Sequence, residues 1–210
     1  MSADSSATKR SQLKSDRRGL LLQAAERQFA ERGYLAVRLE DIGAAADVSG
    51  PAIYRHFPNK EALLVELLVG ISTRLLDGGR AVVAQAGEDG AAAALSGLVD
   101  FHLDFAFGEP DLIRIQDRDL NQLPLNALRQ VRRSQRQYVE VWVRVLREVH
   151  PSLAEDDARL TAHATFGLIN STPYSTKPAG VNPTGSAPHS RAVLRAMTVA
   201  ALDWAGADRT

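Results

Sequence analysis

Apolar side chains recur every third or fourth residue along most of this chain. Leu21 and Ala24 show this spacing near the start, and Leu64, Leu68 and Ile71 show it further on. It is the period of an α-helix that buries one face, whereas a half-buried strand alternates every second residue. We find no convincing strand alternation in the sequence, so the pattern predicts an all-α fold.

Glycine and proline divide this pattern into separate helices. Gly33 is expected to end the first helix, and the pair Gly78 and Gly79 to interrupt the helix that begins near Lys60. The stretch 173–188 contains four prolines and two glycines, which is too many for a regular element.

Composition excludes several classes of function. The chain has no cysteine, which rules out disulfides, thiolate metal sites and a cysteine nucleophile, and which fits a reducing cytoplasm. No apolar run is long enough to cross a bilayer, and the polar N-terminus lacks the apolar core of a signal peptide. We therefore expect a cytoplasmic protein with no membrane partner and no cofactor.

The formal net charge is zero, but the charges are unevenly distributed. Residues 9–60 hold ten basic and six acidic side chains, whereas residues 61–210 hold fifteen basic and eighteen acidic ones. A basic N-terminal end on a slightly acidic body is a modest electrostatic footprint for phosphate.

The stretch 39–57 has the physical features of a helix-turn-helix. Ala44 and its alanine neighbours let a second helix pack closely after a short turn. Ser49 is suited to cap that second helix, and Pro51 is tolerated in its first turn. The hinge core is predicted to consist of Ile42, Val48, Ile53 and Phe57.

The N-terminal end of the second helix would enter the major groove of DNA. Gly50 and Ala52 permit close approach, while Tyr54, His56 and Lys60 offer polar groups for phosphates. Taken alone, each of these three polar side chains is better explained as a surface or hinge residue, and only the ordered string as a whole favours DNA binding. The predicted DNA-binding residues are Arg38, Ser49, Gly50, Pro51, Ala52, Tyr54, Arg55, His56 and Lys60.

This stretch resembles the DNA-binding signature of the TetR family. The resemblance rests on Asp41-Ile42, on Ala46-x-Val48-Ser49, and on Ile53-Tyr54-Arg55-His56-Phe57-Pro58-Asn59-Lys60-Glu61-Ala62-Leu63-Leu64. The upstream segment Phe29-Ala30-Glu31-Arg32-Gly33-Tyr34 resembles the end of that family's first helix. Two positions depart from the family pattern: Val37-Arg38 stands where Thr or Ser is common, and Asp47 stands where Gly is usual.

The resemblance implies a two-domain organisation. A three-helix helix-turn-helix domain would occupy 18–64, and a C-terminal helical ligand-binding and dimerisation domain would occupy 65–210. The polar, mixed-charge composition of residues 1–17 separately predicts a disordered basic arm before them. The resemblance further implies a homodimer, a palindromic double-stranded DNA operator, and repression that is relieved by a small-molecule effector. At Asp47 the left-handed backbone expected of the turn remains accessible, because Asp tolerates it better than most residues.

Aromatic residues in the C-terminal part point to an effector site. Phe101 and Phe105 share one helix face, and Trp142 and Phe166 are placed to close a mostly apolar pocket with them. An ordinary aromatic core is the alternative. The candidate effector residues are Phe101, His102, Phe105, Gln116, Trp142, Phe166 and Asn170.

Four arginines, Arg129, Arg132, Arg133 and Arg136, form one cationic stripe on a predicted helix. A solvated helix face is the usual fate of such a run. The functional alternative is a contact with an anionic effector, such as a phosphate-bearing acyl thioester.

The last two predicted helices carry apolar and small residues that would form a four-helix dimer interface. Packing within one chain is the alternative. The candidate interface residues are Leu160, Ala164, Leu168, Val193, Leu194, Met197, Ala201 and Trp204.

Two rival functions would depend on the histidines of the C-terminal part. His102, Asp104 and His163 would have to serve a helical enzyme or a metal-sensing regulator, yet their spacing matches no catalytic or metal-binding motif. We therefore predict a DNA-binding regulator that is not an enzyme.

Overall fold

The computed structural model describes the backbone of residues 2–175 and 187–205, and the side chains of 15–174 and 188–203. Within these ranges it contains helices and no strand, as predicted. The α-helices are α1 (Ser2–Arg32), α2 (Leu39–Ala45), α3 (Gly50–Ile53), α4 (Lys60–Ala86), α5 (Gly90–Gly108), α6 (Pro110–Asp119), α7 (Leu125–Val149), α8 (Glu155–Ile169), α9 (Thr172–Ser175) and α10 (Ala187–Ala205). Short 3₁₀ turns at Gly87–Asp89 and Leu120–Gln122 precede α5 and follow α6.

The chain divides into two compact units. Unit 1 comprises Met1–Gly70 and Arg114–Leu128, and unit 2 comprises Ile71–Ile113 and Arg129–Thr210. The domain boundary predicted after residue 64 thus lies close to Gly70, where the first segment of unit 1 ends. The prediction did not include residues 114–128 in this unit, because nothing local in their sequence indicates which residues they pack against.

The first helix is longer than expected. A disordered arm was predicted for residues 1–17, but α1 extends back to Ser2. No proline or glycine occurs before Gly19, so no helix-breaking residue separates the polar segment from the apolar one. The end of α1 agrees with the prediction, because Gly33 follows it with a left-handed φ of 85°.

Unit 1 has an aliphatic and aromatic core. The rings of Phe29 and Tyr34 meet edge to face at 5.4 Å between centroids. Of the four residues predicted for the hinge core, Ile42, Ile53 and Phe57 are fully buried, and Val48 is partly exposed. This core supports the two short helices of the helix-turn-helix from below.

Unit 2 is built around α5 and α7, with the second half of α4, α8 and α10 contributing to the same core. Leu98, Leu103, Trp142 and Leu146 are fully buried there. In the described ranges no helix is long and apolar enough to cross a membrane.

The expected break at Gly78 and Gly79 is not present. The α4 helix runs through both positions, and two aromatic rings of unit 2 occupy the space that side chains would take there. A Cβ at Gly78 would lie 2.2 Å from Cζ of Phe101, and one at Gly79 would lie 2.5 Å from Cε2 of Tyr138. The glycines thus let the rings pack on the helix backbone.

We expect Gly79→Ala to lower the free energy of unfolding by about 1–3 kcal/mol, as overpacking of a core does. Tyr138 cannot rotate away freely, because it is buried and its hydroxyl is hydrogen-bonded to His102. Gly70→Ala is the matched control on the same helix, where a Cβ meets nothing within 4 Å. It should stabilise the protein by about 0.5–1 kcal/mol. Equal stability of the two variants in urea unfolding would contradict the packing argument.

Candidate functional site

The helix-turn-helix consists of α2, a tight turn and α3. The turn closes through a hydrogen bond of 2.8 Å from the Val48 N–H to the Gly43 carbonyl. A Cβ at Gly43 would lie 3.0 Å from the Val48 carbonyl oxygen, so the close approach of the two segments requires a very small residue there. Asp47 has a φ of 53°, the left-handed conformation predicted for this position.

Helix α3 begins after Ser49, which occupies the predicted N-cap position. The Ser49 carbonyl accepts from the N–H groups of Ala52 at 2.8 Å and Ile53 at 3.1 Å. Its hydroxyl makes no capping hydrogen bond. The Ser49 side chain, which was predicted to cap α3, is instead exposed at the surface of the turn.

The structure brings the predicted DNA-binding residues to one segment of unit 1 and leaves them all at least partly accessible. Arg38, Ser49, Pro51, Tyr54 and Arg55 are exposed, and Gly50, Ala52, His56 and Lys60 are partly exposed. The backbone N–H of Arg38 donates to Asp41 at 3.3 Å, so α2 obtains a cap without the hydroxyl residue that is common there.

The hydroxyl of Tyr54 is already engaged. It donates to Oε1 of Glu40 at 2.7 Å, across from α2. This hydrogen bond lowers the pKa of the Glu40 carboxyl and raises the pKa of Tyr54. A phosphate contact by Tyr54 would therefore have to replace the contact with Glu40, a residue that sequence analysis did not single out.

Lys60 holds the loop between α1 and α2. Its ammonium donates to the carbonyls of Tyr34 at 2.8 Å, Leu35 at 3.3 Å and Val37 at 2.9 Å. The same ammonium lies 4.4 Å from the centroid of the Tyr34 ring. These contacts use the three hydrogens of the group, whereas sequence analysis placed Lys60 at a phosphate.

Arg18 supports the other end of the helix-turn-helix. Its guanidinium donates to the His56 carbonyl at 2.7 Å and to Glu66 at 3.1 Å, and it lies 4.1 Å from the centroid of the Phe57 ring. Sequence analysis missed this role, since the partners are far apart along the chain.

The last turn of α6 caps α1 within unit 1. Arg118 donates to the carbonyls of Phe29 and Ala30, the latter at 3.3 Å, at the C-terminal end of α1. Asp119 pairs with Arg118 at 3.0 Å and accepts the backbone N–H of Tyr34 at 3.2 Å. No sequence signal links these residues, which lie more than eighty positions apart.

Unit 2 contains what we call the aromatic cluster: His102, Phe105, Tyr138, Trp142 and Phe166. His102 lies 4.9 Å from Phe166 and 5.7 Å from Phe105 between ring centroids. Its Nδ1 is 3.2 Å from the Tyr138 hydroxyl, and its Nε2 is 3.1 Å from Oδ1 of Asn170. Because the Asn170 oxygen only accepts, Nε2 carries the hydrogen and Nδ1 accepts from Tyr138.

Burial keeps this cluster uncharged. Desolvation lowers the pKa of His102 to about 4, although the hydrogen bond with Asn170 acts in the opposite direction. Burial likewise raises the pKa of Tyr138. At neutral pH the imidazole and the phenol are therefore both neutral.

Most of the predicted effector residues come together here. His102, Phe105, Trp142, Phe166 and Asn170 belong to the cluster or contact it, and Phe101 packs on α4. Gln116, the remaining candidate, lies in unit 1. Tyr138 was missed; its position one helical turn before Trp142 was the available signal, because such residues share a face.

The residues considered for an enzyme or a metal sensor are dispersed. His102 is buried in the cluster, Asp104 is ion-paired with Arg191 at 2.7 Å, and His163 is exposed. Among the described residues, no group of three His, Asp or Glu side chains is arranged to hold a metal ion.

The arginine stripe is exposed along its length. With 3.6 residues per turn, the positions 129, 132, 133 and 136 lie on the side of α7 opposite Tyr138. The stripe and the aromatic cluster thus occupy opposite faces of one helix.

The candidate dimer residues divide into two groups. Leu160, Val193 and Met197 are 68%, 44% and 51% exposed, and Ala164 and Ala201 are exposed beside them. Leu168 is partly buried, and Leu194 packs against the unit 2 core. The side chain of Trp204 lies outside the described residues.

Two family models match the chain. The model for bacterial regulatory proteins of the tetR family matches residues 21–67, and the model for a tetracyclin repressor-like C-terminal domain matches residues 88–181. The HTH-type transcriptional regulator CymR of Pseudomonas putida is 33% identical over 143 residues, which is 67% of this chain and 69% of CymR. The chain belongs to the tetR family. This confirms the resemblance found in the sequence, and it places the chain among transcriptional regulators rather than enzymes.

Other relatives match this tetR-family chain over shorter stretches. The HTH-type transcriptional repressor KstR2 of Rhodococcus jostii is 41% identical over 71 residues, 34% of this chain and 35% of the relative. The match therefore spans about a third of that protein's length.

Solved structures share the fold. The ketosteroid transcriptional regulator KstR2 of Mycobacterium tuberculosis has a TM-score of 0.75 at 22% identity, covering 90% of this chain and 94% of that one. A TetR-family regulator from Bordetella parapertussis has the same TM-score and identity, covering 87% and 93%. At such identities the likeness concerns the fold alone, and it confirms the predicted fold class.

Proposed function

We propose that the chain is a cytoplasmic transcriptional repressor that binds a palindromic operator as a homodimer and is released by a small-molecule effector. The observation that carries this proposal is the helix-turn-helix, whose accessible polar residues lie directly above a fully buried core of Ile42, Ile53 and Phe57. Such a rigid base is what a recognition helix needs to hold its register in the major groove.

Dimerisation follows from the geometry of DNA. Two recognition helices must reach successive major grooves about 34 Å apart, so tight operator binding requires two copies. The outward face of α8 and α10 offers Leu160, Val193 and Met197 for this contact, and isolated apolar side chains of this size gain by burial.

Release by an effector would be a population shift. A molecule that binds unit 2 better in one dimer arrangement favours that arrangement, and a spacing that no longer fits the operator weakens binding. The effector would be either an apolar molecule or an acyl thioester. The aromatic cluster supports the apolar effector, since the arginines that would hold the thioester's phosphates lie on the opposite face of α7.

The proposal is tested by selecting fragments from a random double-stranded DNA pool. Wild-type protein should enrich an inverted repeat, and Tyr54→Ala should lose most of that enrichment because a phosphate contact is removed. Tyr174→Ala, which changes an exposed tyrosine of unit 2, is the matched control and should behave as wild type. A folded dimer that enriches no sequence at low salt would refute the proposal.

A further inference from the structure

We propose that the aromatic cluster binds an uncharged, planar effector that carries an oxygen acceptor, and that the indole N–H of Trp142 donates to this oxygen. The inference rests on the proposed function, because it names the chemical class of the effector. It is carried by the hydrogen bonds, the charges and the ring geometry of the cluster.

One fully buried polar atom of the aromatic cluster lacks a hydrogen-bond partner. Both nitrogens of His102 have partners, in Tyr138 and Asn170. The indole of Trp142 is fully buried, and its Nε1 has no hydrogen-bond partner. The indole N–H of Trp142 is close enough to the Tyr138 hydroxyl to act against the rise in the pKa of that phenol. The two groups nevertheless do not meet the geometry of a hydrogen bond. Buried donors are rarely left in this state, because an unpaired buried N–H is costly.

The surroundings contain no charge to hold an anion. In the described part of unit 2, each arginine is either exposed or ion-paired with a carboxylate, and no lysine occurs. The carboxylates nearest in sequence to His102, Asp100 and Asp104, pair with Arg195 and Arg191. Burying an anion beside the cluster would therefore leave it without a counter-charge. An uncharged molecule meets no such penalty.

The ring planes favour a flat molecule. Tyr138 and Phe166 are inclined by 15°, and His102 and Tyr138 by 26°, so the Tyr138 ring is close to parallel with each of these neighbours, while His102 and Phe166 are tilted by 41° to one another. Trp142 stands across them at 80–85°. Phe105, Phe166 and Asn170 are partly exposed, which leaves a route from the surface. A planar ligand that displaces the Phe166 ring would stack on Tyr138 and His102 and meet the edge of Trp142.

Three probes of one shape separate the parts of this proposal. They are 2-acetylnaphthalene, which is neutral with an oxygen acceptor, 2-ethylnaphthalene, which lacks the acceptor, and 2-naphthoate, which is an anion. Binding to the full chain is measured at pH 8 by quenching of probe fluorescence. We expect 2-acetylnaphthalene to bind roughly tenfold more tightly than either other probe, as one hydrogen bond or one avoided charge burial predicts.

Variants identify the donor. Trp142→Phe should weaken 2-acetylnaphthalene roughly tenfold more than it weakens 2-ethylnaphthalene, because both probes lose the same ring contacts and only the first also loses a hydrogen bond. The double variant Arg132→Glu with Arg133→Glu should alter neither. Should Trp142→Phe fail to fold, the ratio of the two neutral probes in the wild type still tests the donor.

Three results would overturn the inference: equal or tighter binding of 2-naphthoate, equal affinity of the two neutral probes, or no probe binding by folded wild type. Operator selection is performed without probe, so the two hypotheses fail separately. Intact operator binding without probe binding refutes only the inference. Probe binding without operator binding refutes only the proposed function.

Discussion

Replacing Asp119 with alanine is expected to lower the free energy of unfolding by about 3 kcal/mol, because the guanidinium of Arg118 loses its counter-charge when this buried carboxylate is removed. The Asp119 side chain is 6% exposed and the Arg118 side chain 43%. The exposure of Arg118 lets its guanidinium turn toward water, which keeps the cost at the low end for such pairs. The N–H of Tyr34 loses its acceptor in the same step.

Urea unfolding measures this change, and hydrogen exchange at Tyr34 localises it. Asp119→Asn keeps an acceptor for the Tyr34 N–H and should cost less than the alanine variant. Glu31→Ala removes an exposed carboxylate from unit 1 and should stay within about 0.5 kcal/mol of the wild type. An Asp119→Ala protein as stable as Glu31→Ala would show that the pair does not hold the end of α1.

The second large effect is a loss of stability in acid through His102. The folded protein lowers the pKa of this imidazole from 6.5 to about 4, so the unfolded chain binds the proton more readily. The stability that the folded protein has while this imidazole is neutral is fully present above pH 6.5 and is lost as the pH falls toward 4. A pKa difference of this size between the unfolded and folded states corresponds to about 3 kcal/mol in the free energy of unfolding.

His102→Gln isolates this contribution, because the amide does not titrate. Unfolding free energies measured between pH 7 and pH 4 should fall more steeply for the wild type than for the variant. Asp100 also loses stabilisation in acid, since Arg195 lowers the pKa of its carboxyl, but this loss is common to both proteins. His163→Gln, at an exposed position, should retain the wild-type slope. Equal slopes for wild type and His102→Gln would mean that the imidazole is not desolvated in the folded state.

Local patterns in the sequence were sufficient for the class of fold and for the helix-turn-helix. Helical periodicity depends on neighbours three and four residues away, and it predicted the successive helices. The end of α1 at Gly33 and the left-handed turn at Asp47 follow from the backbone preferences of single residues, and both predictions are confirmed. The ordered string from Asp41 to Leu64 identified the family because so many of its positions are constrained at once.

Only the tertiary structure decided which groups the side chains meet. Lys60 was predicted to bind phosphate, yet its ammonium reaches three carbonyls more than twenty residues away. Gly78 and Gly79 were expected to end a helix, but rings from α5 and α7 fill the space beside them. Tyr138 completes the aromatic cluster, and Arg118 caps a helix that lies 88 residues earlier. A periodic pattern reports which face of a helix is buried, whereas the identity of the partner depends on how distant segments pack, and that information is not local.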